Sequence, residues 1–278
     1  MAEHFVQPPH WEWYIVGYFF CAGLAGGLYV LATLLRITGS PRNDAVVRAA
    51  FLTAFPLVVV CGILLTVDLG QPLRFWHMMI DTTPGETGQL NFKPWSPISL
   101  GTWALLVFGF FSFVSFVQAL RRSGTVVVFD AIGSLVALFL ASYTGVVLSV
   151  SNQPVWSDSW AIGGLFVASA LSGSAALLVL LAHWRANSGW SEPRLHRADR
   201  YFVLLEAALI VVFFVTLAQA GTLAKTFSGI WLVMWILVVL SLIPALLGSA
   251  GSRRTLSAIA VLAGVLLMRY VVIFSAQS

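Results

Sequence analysis

The chain has 278 residues, of which 59% are hydrophobic and only 9% charged. A soluble domain carries about 25% charged residues, so this composition, with a mean hydropathy of +0.91, excludes a soluble globule and a disordered chain alike. The formal net charge of +4 then concerns membrane topology and not nucleic acid, and the expected fold class is all-α, integral to the membrane.

Roughly 20 apolar residues cross about 30 Å of hydrocarbon. Such runs lie at 13–36, 46–68, 96–120, 125–150, 161–184, 201–221, 228–249 and 255–275, which predicts eight transmembrane helices. The leading segment MAEHFVQPPHWEW has no basic n-region and no small-residue cleavage site, so a cleaved signal peptide is not expected. Pro8 and Pro9 with Trp11, Trp13 and Tyr14 read as an interfacial anchor ahead of the first span.

Lys and Arg favour cytoplasmic loops. One side carries Arg36, Arg42, Arg48, Arg121, Arg122, Arg185, Arg194, Arg197, Arg200, Arg253 and Arg254; the other carries Arg74, Lys93, Lys225 and Arg269. Both termini are therefore expected outside the cytoplasm. The longest loop, 69–94, shares that outer face with 151–160. It holds Arg74, His77, Asp81, Glu86 and Lys93 between Trp76 and Trp95. A docking surface, a lid over a pocket and a plain connector all fit such a loop.

Trp95-Ser-Pro-Ile-Ser-Leu-Gly-Thr-Trp103 resembles Phe227-Ser-Gly-Ile-Trp-Leu-Val-Met-Trp235 at the heads of spans three and seven. An offset of four spans preserves orientation, so a parallel repeat is expected. The chain is one eight-helix membrane domain, 1–278, made of two four-helix halves, 1–150 and 151–278.

Ionisable groups inside a membrane are costly, and each is a candidate for function. Asp68 ends span two. It either finishes that helix or, held by Arg74 or Arg269, exchanges a proton with water or a ligand. Asp130 and Glu206 lie one to two turns inside the inner ends of spans four and six. Ion pairing with nearby arginines and proton conduction are both open. Arg269 needs a partner or a cavity. Tyr143, about seven residues below the outer end of span four, needs a hydrogen-bond partner for its hydroxyl; a ligand carbonyl or a neighbouring helix would serve.

Gly23-Leu-Ala-Gly26-Gly27 contains GxxxG, which signals close helix packing or room for a flat ligand ring at Gly23 and Gly27. Cys21 and Cys61 lie in apolar runs and match no metal-ligand spacing. Of the five histidines, His4, His10, His77, His183 and His196, only His183 lies clearly within a span. A haem b held by two axial histidines is disfavoured, and no metal site is expected.

An ordered set of motifs resembles the polysulfide reductase membrane-subunit family, of NrfD or PsrC type, over nearly the whole chain. The set is the aromatic lead-in and glycines from Trp11 to Gly27, then Asp68-Leu-Gly-Gln-Pro-Leu-Arg74-Phe, then Ser96-Pro-Ile-Ser-Leu-Gly-Thr-Trp103. Ser142-Tyr143-x-Gly145 and Asn152-Gln-Pro-x-Trp156 complete it.

The resemblance implies a haem-free subunit that binds quinone or quinol, of menaquinone type among others, near the outer face. It implies a ferredoxin-like iron–sulfur partner on that face and, with it, a molybdopterin catalytic subunit. The setting is the cytoplasmic (inner) membrane of a bacterium or archaeon, in contact with lipid and without nucleic acid. Tyr143 matches the family's quinone-binding tyrosine and Asp68 its acidic residue. At first-span positions where a characterised member has a histidine and an asparagine, this chain has Tyr18 and Ile15. Tyr18 can donate a hydrogen bond; Ile15 cannot.

The mechanism expected on this basis has quinol between spans one to four, with one oxygen at Tyr143 and the other near Tyr18 and His77. Asp68, alone or with His77, handles protons. The main rival is a proton-translocating subunit using Asp130 and Glu206 as an inner half-channel. A secondary transporter is the more distant alternative.

Overall fold

In a computed structural model the described residues are 9–38, 45–83, 88–123, 126–184, 192–247 and 252–277, without the side chains of 183–184, 192–197 and 252–253. Residues 1–8 of the proposed anchor, Arg42, Glu86 and Arg185 lie outside them, as do the side chains of His183, Arg194, His196, Arg197 and Arg253.

The described chain is helical, with no strand beyond one isolated bridge, Ile80 to Leu90. The helices are α1 (Trp13–Thr38), α2 (Ala45–Asp68), α3 (Pro97–Leu120), α4 (Val127–Ser149), α5 (Ile162–Trp184), α6 (Glu192–Ala220), α7 (Leu223–Thr226), α8 (Ile230–Leu246) and α9 (Ser252–Gln277). A 3₁₀ helix, Pro72–Met78, follows α2. Seven helices are long and apolar enough to cross a membrane. At 17 residues, α8 spans only about 25 Å.

Two expected boundaries differ. The span placed at 201–221 is the apolar part of α6, which begins nine residues earlier at Glu192-Pro193. Proline in a first turn gives up no hydrogen bond, and the polar turns that follow lower the hydropathy without ending the helix. The span placed at 228–249 shortens to α8, entered through Gly229 at φ +53°.

Each of α1 to α4 packs on the next, and α4 closes back on α1. A second ring forms from α5, α6, α8 and α9 by the same pattern. The rings meet where α5 touches α1 and α4. Accordingly α1 and α5 are the central helices, with 78% of their apolar windows buried against 28% in α2 and α3.

Both described chain ends lie at the end of the bundle that carries loop 69–94, the loop end. There the Trp11 amide donates to Gln277 Oε1 at 2.9 Å, and Gln153 and Lys225 donate to the Ala276 carbonyl at 2.6 and 3.1 Å. At the opposite, arginine end, Arg48 caps α3 through the Ala119 carbonyl at 2.7 Å.

Candidate functional site

The loop end is built by the segment after α2. Pro72 opens the 3₁₀ helix, since proline cannot extend the hydrogen-bond ladder of the helix before it. The polypeptide then doubles back. The Asp81 amide donates to the Gln89 carbonyl and the Asn91 amide to the Met79 carbonyl, both at 2.8 Å, with Gly88 at φ +90°. Asn91 Nδ2 donates to the His77 carbonyl at 3.0 Å. The Asn91 carbonyl accepts from Trp103 Nε1 and Ser99 Oγ at 3.2 and 3.3 Å.

These bonds fasten the loop to the first turns of α3, whose start is itself set by the Ser96 cap and Pro97. Asp81 Oδ1 accepts from the Thr83 hydroxyl at 2.6 Å and its amide at 2.8 Å. Those bonds hold the carboxyl below the usual aspartate range. The described part of 69–94 is thus an ordered roof and not a plain connector.

Beneath the roof a cavity of about 750 Å³ lies between α2 and α3, within the ~300–1,000 Å³ of ligand sites. Its walls are Val58, Gly62, Leu65 and Thr66 on α2, and Thr102, Leu105, Leu106, Val107, Gly109, Phe110 and Phe113 on α3. Leu69, Phe75, Met78 and Met79 close it above. Asp68, Arg74 and His77 are the sequence neighbours of those roof residues.

Asp68 and Arg74 are exposed, and no ion pair joins them. Arg269, the other expected holder of Asp68, is buried elsewhere. His77 Nδ1 lies 3.5 Å from the Thr82 hydroxyl, with the Trp76 ring edge-on at 4.0 Å between centroids.

Tyr143 lies at the α3–α4 contact. Its hydroxyl donates to the Pro97 carbonyl, its ring occupies the space above Gly101, and Phe139 stacks on it at 6.2 Å. The neighbouring-helix partner open in the sequence is therefore present. The oxygen still has lone pairs to accept with. Tyr18 is buried, within electrostatic reach of Cys61 and Tyr143. Among the described residues its hydroxyl makes no hydrogen bond.

The glycines of span one serve packing. A Cβ on Gly23 would meet Arg269 Nη2 at 2.5 Å, and one on Gly27 would meet the Ala170 carbonyl at 2.5 Å and Ser174. Neither position leaves room for a ring. Arg269 is fully buried. It donates to the Phe19 carbonyl (3.2 Å), Ser169 Oγ (3.0 Å) and the Phe166 carbonyl (3.3 Å), with its guanidinium 5.0 Å from the Phe166 ring centroid.

Asp130 pairs with Arg36. Ser115 also donates to it at 3.4 Å, and Tyr29 exchanges a 2.9 Å bond with Ser115. Glu206 lies in the other ring, where Ser172 donates to one oxygen while the other has no partner among the described residues. Asp130 and Glu206 thus lie in different rings, on α4 and α6. Sequence reasoning missed Asp199, whose buried Oδ1 also lacks a partner among the described residues. Its seven-residue spacing from Glu206 was the available signal, hidden because the span was placed after it. Among the described residues no group of His, Cys, Asp and Glu stands close enough to hold a metal ion.

Helices, rings and roofed cavity define a multi-pass integral membrane protein with a ligand-sized apolar site near one end of its first ring. The chain belongs to the polysulfide reductase (NrfD) family, whose model matches residues 5–278. It is 28% identical to one of the chains of the polysulfide reductase of Wolinella succinogenes, over 96% of its own length and 94% of that relative's. It is 26% identical to protein NrfD of Escherichia coli, over 96% and 95%. One of the subunits of the tetrathionate reductase of Salmonella typhimurium is 29% identical, over 84% of the present sequence and 64% of its own.

Proposed function

We propose that this protein is the membrane subunit of a respiratory oxidoreductase, binding quinone or quinol under the 69–79 roof and exchanging electrons with an iron–sulfur partner docked there. The observation that carries the reading is the α2–α3 cavity roofed by the segment that bears Asp68, Arg74 and His77. Relatives named as parts of polysulfide and tetrathionate reductases support the setting. In this reading α8 is the eighth span, the arginine end faces the cytoplasm of a bacterial or archaeal cell, and both chain ends lie outside. Loops 69–94 and 151–160 form the docking face, with a molybdopterin subunit beyond the iron–sulfur protein.

When bound, quinol supplies two electrons and two protons. Asp68 and His77, at the water-facing rim, accept the protons as the two O–H bonds break, and the electrons leave to the partner. Tyr143, its own hydrogen given to Pro97, offers a lone pair to a quinol O–H; Tyr18, on α1 behind the cavity-lining helices, offers a hydroxyl with no hydrogen bond among the described residues. Gly23 and Gly27 act indirectly, by seating Arg269 and Ser174. The deciding experiment is to add quinol to the complex purified from native membranes and follow reduction of its iron–sulfur clusters by electron paramagnetic resonance. Clusters that stay oxidised under excess quinol of several types overturn the reading.

A second reading, proton translocation through the second ring, has its own observation: Glu206 and Asp199 are acids on one face of α6, each with a buried oxygen that has no partner among the described residues. Asp130, already paired with Arg36, takes a structural part in it. Glu206→Gln in proteoliposomes tests this reading. A quinol-driven pH change inside the vesicles that survives the substitution removes it.

A further inference from the structure

Resting on the quinone reading above, we propose that the α2–α3 groove holds the polyprenyl tail of the quinone and makes the protein selective for tailed over tail-less quinones. The groove has the wrong chemistry for the ring. A quinone ring needs hydrogen-bond donors or acceptors at both oxygens, and the only side-chain hydroxyls on the walls belong to Thr66 and Thr102. Thr66 donates to the Gly62 carbonyl at 2.7 Å and Thr102 to the Ile98 carbonyl at 3.0 Å. Both give their hydrogen to their own helices, Thr102 also lying 3.7 Å from Met78 Sδ, so the walls offer no free donor to a quinone carbonyl, and the rest of the lining suits hydrocarbon.

Its shape fits a linear tail. The walls run from Leu69 down to Val58 and from Thr102 down to Phe113, about 16 Å at 1.5 Å per residue. Two small residues keep it open: a Cβ on Gly62 would meet nothing within 4 Å, and one on Gly109 only a Val58 methyl at 3.7 Å. The flexible side chains of Met78 and Met79 in the roof suit a branched tail.

Polarity is confined to the roof end, where Asp68 and His77 adjoin Leu69 and Met78. The occupant is therefore an amphiphile with its polar end up and its tail toward the bilayer centre. A phospholipid shares that outline. Its charged headgroup, however, would have to sit under the apolar roof residues Phe75, Met78 and Met79, whereas an uncharged quinone ring carries a far smaller desolvation cost.

The test measures kcat/KM of the assembled complex for one quinol headgroup with a polyprenyl tail and with a methyl group in its place. Gly62→Leu, which fills the groove, should lower the tailed to tail-less ratio about tenfold, the scale of excluding two or so buried methylenes. Gly109→Leu, from the opposite wall, should do the same and serves if Gly62→Leu fails to assemble. A ratio unchanged in both variants overturns the proposal. If native mass spectrometry then shows loss of a bound phospholipid, the groove belongs to lipid. Equal loss with both quinols also overturns it, placing the ring in the groove and leaving the quinone reading intact. No turnover of wild type with either quinol sinks the quinone reading itself.

Discussion

Arg269 on α9 occupies the space that Gly23 on α1 leaves empty, and its guanidinium bonds to α1 and α5 from there. A methyl at position 23 would push out a side chain held by three hydrogen bonds, with Ala170 Cβ only 3.3 Å away on another side. Gly23→Ala should cost about 1–3 kcal/mol, the range for overpacking a tight core. Gly62→Ala, facing open space, should cost nothing comparable. Thermal inactivation of the two detergent-solubilised variants side by side checks this, and equal midpoints would refute it.

The Arg36–Asp130 pair is buried at 7% and 1% side-chain exposure. Removing one member of a buried pair costs about 3–5 kcal/mol, because a charge is left behind, whereas removing both is far milder. Arg36→Met should therefore destabilise more than the double variant Arg36→Met/Asp130→Leu. Urea or thermal unfolding of both in one detergent gives the comparison. A double variant that is worse than the single would mean that Asp130 acts through its bond from Ser115 and not through charge.

The helices were legible because hydropathy reports the hydrocarbon-crossing part of each, and the error at α6 arose where the helix runs on into polar residues. The small residues of span one announced close packing. That Arg269 was the group packed there was not legible, since it depends on how α9 docks against the other ring. The length of loop 69–94 and its flanking tryptophans left a docking surface, a lid and a connector all open, and nothing in its composition disclosed the Asn91 bonds that tie it to α3. Tyr143's bond to Pro97 was one of two options the sequence left open. Asp199 went unseen because a span placed at 201 excluded it.

The Asp81 turn gives the roof a pH response. Its folded-state carboxyl is held below the ordinary value by bonds from Thr83, so the stabilisation is fully present above the unfolded pKa near 4. It is lost as pH falls through the depressed folded value. Protection of the Thr83 amide against hydrogen exchange, relative to its intrinsic rate, should fall as pH drops below about 4 and on through the depressed value in wild type. In Asp81→Asn it should lack that acid step, having no carboxylate to protonate. An identical acid step in the variant would assign the response to another group.

Asp68 provides the test of proton handling at the roof. It ends α2, is exposed, forms no ion pair with Arg74, and adjoins Leu69 in the cavity roof. Exposed sites without such partners tolerate substitution within about 0.5 kcal/mol, so Asp68→Asn should assemble normally. Asparagine preserves shape but cannot take a proton. Loss of a positioned proton acceptor slows turnover about 100-fold or more, while the groove below, untouched, keeps its hold on the quinol. We therefore expect a large fall in kcat with KM changed less than about threefold. His77→Gln, at the other side of the rim, should give a smaller fall, because Asp68 remains to accept. Quinol turnover of the assembled complex across quinol concentration decides between outcomes. Wild-type kcat in Asp68→Asn would move proton release away from the roof and toward Tyr18 on α1.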